Sequence, residues 1–286
     1  MKLTFLMDNN VKWGLEKMVA QHGFSVFIEE AGKRILFDTG YTGIFLENAK
    51  ALGVDLTDLD YVVLSHSHND HTGGLPALMA LLKEAPRNFA GPGEAAVTVK
   101  KPVLVYHPDA AKRHRDAEGD FGMPVTEEEL AEVFTIHKTR EPFWLTENLC
   151  YLGEIPRTHA FENVPTFGER LEGDTWVTED FIDDSALAYR GPEGAVVISG
   201  CGHSGICNIS SYALAVTGEE KLFDIIGGLH TLNEKDNKFR GTLDFVASFK
   251  PKKLHPCHCT AFCCRSAFRQ IAEVEELGAG SVLEFA

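Results

Sequence analysis

The sequence predicts a layered α/β protein, on three observations. The first third alternates short apolar runs with turns, the run Tyr61-Val62-Val63-Leu64 opens into a histidine-rich loop followed by a helix, and the second half repeats a strand-then-helix rhythm three times. Taken in order, residues 3–7 and 24–28 read as strands, Ala31-Gly32-Lys33 as a hairpin turn, and 34–38 as the returning strand. Residues 44–52 have helical spacing and stop at Gly53. The strand 61–64 delivers the chain to Ser65-His66-Ser67-His68-Asn69-Asp70-His71-Thr72-Gly73-Gly74, and 75–82 leaves it as a helix. Residues 86–102, with Gly91, Gly93 and three prolines, read as a loop inserted between core elements. Residues 107–148 are charged and weakly periodic, except for a helix at 126–133 opened by the capping-box pair Thr126 and Glu129. The second half offers strands at 195–199, 222–226 and 253–256, followed by helices at 205–216, 241–249 and 262–277. Each of these strands ends in a histidine-bearing turn, so His203, His230 and His258 can reach the first histidine loop at a common strand end.

At 286 residues and 44% hydrophobic content, one domain spanning 1–286 is expected. Lys and Arg number 27 against 42 Asp and Glu, a net charge of −15 that repels a polyanion, so no nucleic-acid partner is expected. The richest basic stretch, Lys112-Arg113-His114-Arg115, runs at once into Asp116, Glu118 and Asp120 and reads as a solvated loop. Asp8 interrupts the first apolar run too soon for a secretion signal, and no apolar run reaches membrane-spanning length. Seven cysteines, an odd number with four inside 257–264, favour reduced thiols. A cytoplasmic protein without a membrane partner is the expectation.

Positions 66–71 concentrate three imidazoles and a carboxylate. In an extended segment residues two apart point the same way, so His66, His68 and Asp70 converge while His71 turns in with the helix that the glycine pair introduces. Neutral imidazole and carboxylate suit zinc, iron or manganese. A solvated loop is disfavoured, because groups packed this closely need a partner to offset crowding and desolvation.

This H-x-H-x-D-H pattern, behind a strand and after the turn Phe37-Asp38-Thr39-Gly40, resembles the metallo-β-lactamase superfamily. The strings Gly153-Glu154-Ile155-Pro156-Arg157, Ser199-Gly200-Cys201-Gly202-His203, Ile226-Gly227-Gly228-Leu229-His230 and His255-Pro256-Cys257-His258-Cys259-Thr260 are similar to a subgroup of it named for an archaeal pterin-coupling synthase, whose members mostly carry a general hydrolase label. The resemblance implies a four-layer αββα sandwich, two mixed β-sheets face to face with helices outside, and two divalent metal ions at the sheet edge. It implies His66, His68 and His203 on the first metal and Asp70, His71 and His258 on the second. Zinc stands ahead of manganese and iron, because His68 occupies a place where the diiron members carry Glu. The bridging Asp of many members is missing, and Cys201, Asp184 or water alone could take its place. Asp38 is expected behind a ligating imidazole, with Cys201 in the same outer layer. His230 could face the substrate, polarise a leaving group or cap a helix, and Arg157 could clamp an anion or pair with Glu162.

The remaining histidines, His22, His107, His114, His137 and His255, receive no site role, and His159 reads as a loop residue. Cys263 and Cys264 are adjacent on a helix and point apart, so buried thiols are favoured over a separate zinc site. A substrate-covering insertion is expected within 83–150, where Phe143-Trp144 could stack on a flat ring or pack beneath the loop. The expected activity is hydrolysis of a small phosphorylated or pterin-like substrate, with Asp70 and His230 catalytic. Two alternatives are a pterin-coupling transferase and a non-catalytic metal-binding scaffold or sensor. The sequence sets no oligomeric state.

Overall fold

The computed structural model describes residues 1–84, 101–163 and 167–285. Two mixed sheets account for most strands. In the first, the order is Val282–Glu284, Lys2–Met7, Ser25–Glu30, Lys33–Phe37, Tyr61–Val63, Val103–Tyr106, Thr135–Lys138. Its pairs are antiparallel up to Lys33–Phe37 and parallel from there on. The second runs Lys253–Pro256, Leu222–Gly227, Gly194–Ser199, Ala186–Gly191, Leu149–Tyr151, Phe143–Trp144, parallel among the first three and antiparallel beyond.

Strand periodicity explains the layering, since alternate residues face opposite sides of a sheet. Phe5, Val26, Phe37 and Val63 of the first sheet meet Tyr151, Leu187, Val196 and Ile198 of the second in one central core. The intervening Leu36, Val62 and Leu104 turn outward, onto helices Ile44–Leu52, Leu75–Glu84 and Glu127–Val133. Val197, Ile225 and Leu254 do the same beneath helices Ile206–Thr217, Asn237–Phe249 and Phe262–Phe268. Burial on both faces is why Tyr61–Val63, Val103–Tyr106 and Gly194–Ser199 are apolar along nearly their whole length. The result is the expected four-layer αββα sandwich.

Local signals fall where the sequence places them. Helix Ile44–Leu52 ends at Gly53 in the left-handed conformation, φ 72. Thr126 and Glu129 form the reciprocal capping box. Three elements differ. The helix of the histidine loop begins at Asn69, so Asp70 joins His71 on a helical turn instead of continuing the extended segment. Helix Asn237–Phe249 starts four residues before Gly241, a position where any Cβ would lie 2.5 Å from the Phe161 ring. The last helix stops at Phe268, because the edge strand needs a partner: Leu254 N–H donates to Glu273 O (2.8 Å) and Leu254 O accepts from Glu275 N–H (3.0 Å).

Within 83–150, residues 85–100 lie outside the described residues, as does most of the 86–102 loop. Strands Val103–Tyr106 and Thr135–Lys138 build the first sheet, and Phe143–Trp144 and Leu149–Tyr151 the second. Phe143 packs on His137 and Tyr61, and Trp144 lies under Arg190, so neither aromatic borders the candidate site. Phe121 reaches it. Among the described residues no helix is long and apolar enough to cross a membrane.

Candidate metal centre

The parallel halves of both sheets point their carboxyl ends to the same edge, so five strand ends converge there. Phe37 leads to Asp38, Val63 to His66 and His68, Ser199 to Cys201 and His203, Gly227 to His230, and Pro256 to His258. Gly200 lets the two sheets close up: a Cβ there would fall 2.2 Å from Ser65 Oγ and 2.9 Å from Asp38 Oδ2. 

Two donor groups result. His66, His68 and His203 bring one ligand atom each within 4.8 Å of one another, and so do Asp70, His71, Cys201 and His258. In the first group the ring centroids lie 4.5 to 4.9 Å apart. Burial drives all three imidazoles toward the neutral form, holding His66 and His203 well below their ordinary range and His68 down to about 3. Their Nε2 atoms are buried without a hydrogen-bond partner among the described residues. Three inward-facing lone pairs, each costly to bury unpaired, fit a cation at their centre.

The second group is tied by polar contacts. His71 Nε2 lies 3.1 Å from Cys201 Sγ, 3.2 Å from His258 Nε2 and 3.5 Å from Asp70 Oδ2. Behind it, His71 Nδ1 donates to Asp38 Oδ2 (2.7 Å), while Asp38 also accepts from Ser65 N–H and Ser65 Oγ at 2.7 Å. Asp38 thus holds the ring with Nε2 turned inward, the position expected of it. Burial opposes a proton on His71, but the Asp70 and Asp38 charges outweigh it and raise the group to about 9. The donor set demands positive charge, and two imidazoles, a carboxylate and a thiol suit zinc chemistry.

Cys201 stands among these donors, not in an outer layer behind them. Asp184, the other candidate bridge, turns to Ser204, accepting from its N–H (2.8 Å) and its hydroxyl, and burial raises it to about 6. His230 belongs to neither group. Its ring lies 4.3 Å from that of His203, faces the cavity, and is lowered by burial to about 4.

Arg157 does neither thing expected of it. Its Nη2 donates to the carbonyls of Asp180 and Phe181 at 2.9 Å, and it is not among the residues lining the cavity. Glu162 instead accepts from the N–H groups of Cys207 (2.9 Å) and Asn208 (2.8 Å) at a helix start. These backbone carbonyls are the nearer claim on the guanidinium. Two other histidines are occupied elsewhere: His255 pairs with Asp224 at 2.8 Å, and His159 meets Ser211 Oγ at 2.9 Å.

Above both groups opens a cavity of about 370 Å³. Sequence reasoning missed part of its surroundings, of which Phe167, His22 and Asn9 line the cavity itself. Phe121, Phe167 and Phe181 surround the His68 ring at 4.9 to 5.9 Å, and Phe181 stacks on His203 at 4.4 Å. His22 Nε2 lies 3.1 Å from Asp70 Oδ2, and Asn9 borders the same space. The polar run Asp8-Asn9-Asn10 at a strand end was an available signal; the phenylalanines carried none.

The family model for the metallo-beta-lactamase superfamily matches residues 19–211. Over 277 residues the chain is 30% identical to the 7,8-dihydropterin-6-methyl-4-(beta-D-ribofuranosyl)-aminobenzene-5'-phosphate synthase of Methanocaldococcus jannaschii, covering 93% of this chain and 90% of that one. The crystal structure of a metal-dependent hydrolase of the β-lactamase superfamily superposes with a TM-score of 0.81 at 26% identity, over 100% of this chain and 99% of the other. A diphosphatase of the PhnP family shares the fold, with a TM-score of 0.53 and 16% identity over 99% and 96% of the two chains. Strand order, the placement of the donor turns and these matches agree: the chain belongs to the metallo-β-lactamase superfamily.

Proposed function

We propose that this protein is a metal-dependent hydrolase that uses two divalent cations, zinc ahead of manganese or iron, on a small phosphorylated or pterin-like substrate. The observation that carries the reading is a pair of adjoining donor groups under one cavity, three of whose buried imidazole nitrogens have no partner among the described residues. His66, His68 and His203 would hold one cation, and Asp70, His71, His258 and Cys201 the other. Cations bound there supply Lewis acidity and a nucleophile drawn from water at neutral pH. Asp70 borders the cavity and is placed to orient the attacking water and accept its proton. His230, on the cavity wall beside His203, is placed to donate to the leaving group. Asp38 and Ser65 keep the His71 ring aimed inward.

The cavity sits at the small end of ligand pockets, which favours one compact substrate and water over two co-substrates. Its described lining holds no Lys or Arg, so negative charge on a substrate falls to the cations and the imidazoles. We take the partner to be a small molecule rather than nucleic acid or membrane, in keeping with the net charge of −15, and the location to be cytoplasmic, in keeping with seven free thiols. Pterin-coupling transfer is the second reading, favoured by 30% identity to a synthase along 93% of the chain.

The test loads the protein with zinc or manganese and offers phosphoesters, lactones and dihydropterin phosphates, then dihydropterin pyrophosphate with an arylamine, each with and without chelator. Hydrolysis that chelator and Asp70→Ala both abolish supports the first reading. A coupled product transfers the conclusion to the second. Metal-loaded protein inert in every arm overturns both and leaves a scaffold or sensor.

A further inference from the structure

We infer that Asn9 and His22 are positioning residues of the second centre, a single amide setting the tautomers of two histidines in opposite senses: His258 as a cation ligand through Nε2, His22 as a hydrogen-bond donor to Asp70. The inference rests on the metal reading above. Residues 9–22 form a loop between strands Lys2–Met7 and Ser25–Glu30, closed at its base by Gln21 N–H donating to Asp8 O (3.2 Å). Asn9 and His22 are its two feet.

The Gly23 N–H donates to Asn9 Oδ1 at 3.2 Å, and a backbone N–H can only donate, so the amide orientation is fixed. That same oxygen lies 2.9 Å from His258 Nδ1, which must therefore carry the hydrogen. The His258 Nε2 is left bare, 3.2 Å from both Asp70 Oδ2 and His71 Nε2. Asn9 Nδ2 can only donate, and it lies 3.3 Å from His22 Nδ1 and 3.3 Å from His258 O. His22 Nδ1 is thus the acceptor and its Nε2 carries the hydrogen, 3.1 Å from Asp70 Oδ2. His258 has φ 47, a strained conformation for a non-glycine residue, and its N–H donates to Asp8 Oδ1 at 3.1 Å. The polar strand end Asp8-Asn9 therefore holds both the backbone and the ring of a ligand histidine, while His22 secures the carboxylate opposite.

Apo protein titrated with Co²⁺ against a chromophoric chelator separates the two binding steps. His22→Ala and Asn9→Ala are expected to weaken one step about ten- to a hundred-fold, as loss of a ligand's orienting partner does, and to leave the other unchanged. His22→Gln, which returns an N–H donor to Asp70, recovers most of the loss. Trp13→Ala, on the same loop and 95% exposed, changes neither step, and thermal unfolding of the apo forms checks folding. Unchanged binding in His22→Ala and Asn9→Ala, or equal weakening of both steps, overturns the inference. A wild type that binds only one equivalent overturns the dinuclear reading instead, and the same variants then judge His22 and Asn9 on that one step.

Discussion

The two donor groups sit side by side but are held by different forces. His66, His68 and His203 are all imidazole, walled by Phe121, Phe167 and Phe181, and their inward nitrogens bond to nothing among the described residues. Asp70, His71, Cys201 and His258 are chemically mixed and cross-linked, with Asp38, Ser65, Asn9 and His22 bonded behind or beside them. Aromatic packing surrounds the first group, where His66 Nδ1 also meets Ser65 Oγ at 2.8 Å, whereas a network of hydrogen bonds orients the second. A rigid apolar wall tolerates no charge except at its centre, whereas a polar network can distribute charge and reach into the cavity. On the function proposed above, proton handling would fall to the second group and substrate shaping to the first.

Replacing Asp70 by Asn tests this division hardest. It removes the carboxylate of the second group while leaving its shape, and kcat/KM should fall by about 10³-fold; retention of activity would end the assignment. On the packed side, Glu179 pairs with buried His114 and accepts from Phe181 N–H at 2.7 Å, so it underlies the ring stacked on His203. Glu179→Gln should cost about 3 kcal/mol in urea unfolding.

That pair also carries a pH signature. Burial lowers the His114 pKa, but the Glu179 hydrogen bond and the Asp183 charge outweigh it, and the net shift is upward from 6.5. Its stabilisation is complete below 6.5 and lost as pH rises through the folded value. Glu179, on balance lowered from 4.5 against its burial by His114, contributes above 4.5 and loses its share only as pH falls through its depressed value. Wild-type stability should thus decline as pH rises from 6.5 through the raised His114 value, and Glu179→Gln should flatten that slope. 

His230 sharpens the comparison from the cavity side. His230→Ala should lower kcat about a hundred-fold with metal content unchanged, measured by elemental analysis beside steady-state rates. The smallest effect is expected from Asp38→Asn, about ten-fold weaker binding at the second group alone, read by chelator competition. Weakening at both groups would show that packing does not isolate the first.

Much of the fold was legible because its signals are local. Gly53 stops a helix and Thr126 with Glu129 starts one through bonds within a few residues, and strand ends that carry histidines announce themselves. The boundary at Phe268 was hidden, since what ends that helix is the need of a remote edge strand for a backbone partner. Arg157 was misjudged for the same reason: its carbonyl partners at Asp180 and Phe181 come from a loop over twenty residues away. His22 carried no mark of its own.

The sequence by itself determined the layered architecture, the superfamily pattern at 66–71 and the three later histidine turns, because hydrophobic period and motif spacing are properties of neighbours along the chain. Only the tertiary structure decided that Cys201 joins the donors while Asp184 turns away, that phenylalanines wall one group, and that a loop near the amino terminus places Asn9 and His22 at the other. Those outcomes depend on which strand ends meet when two sheets pack, and that geometry is set by contacts between residues far apart in sequence.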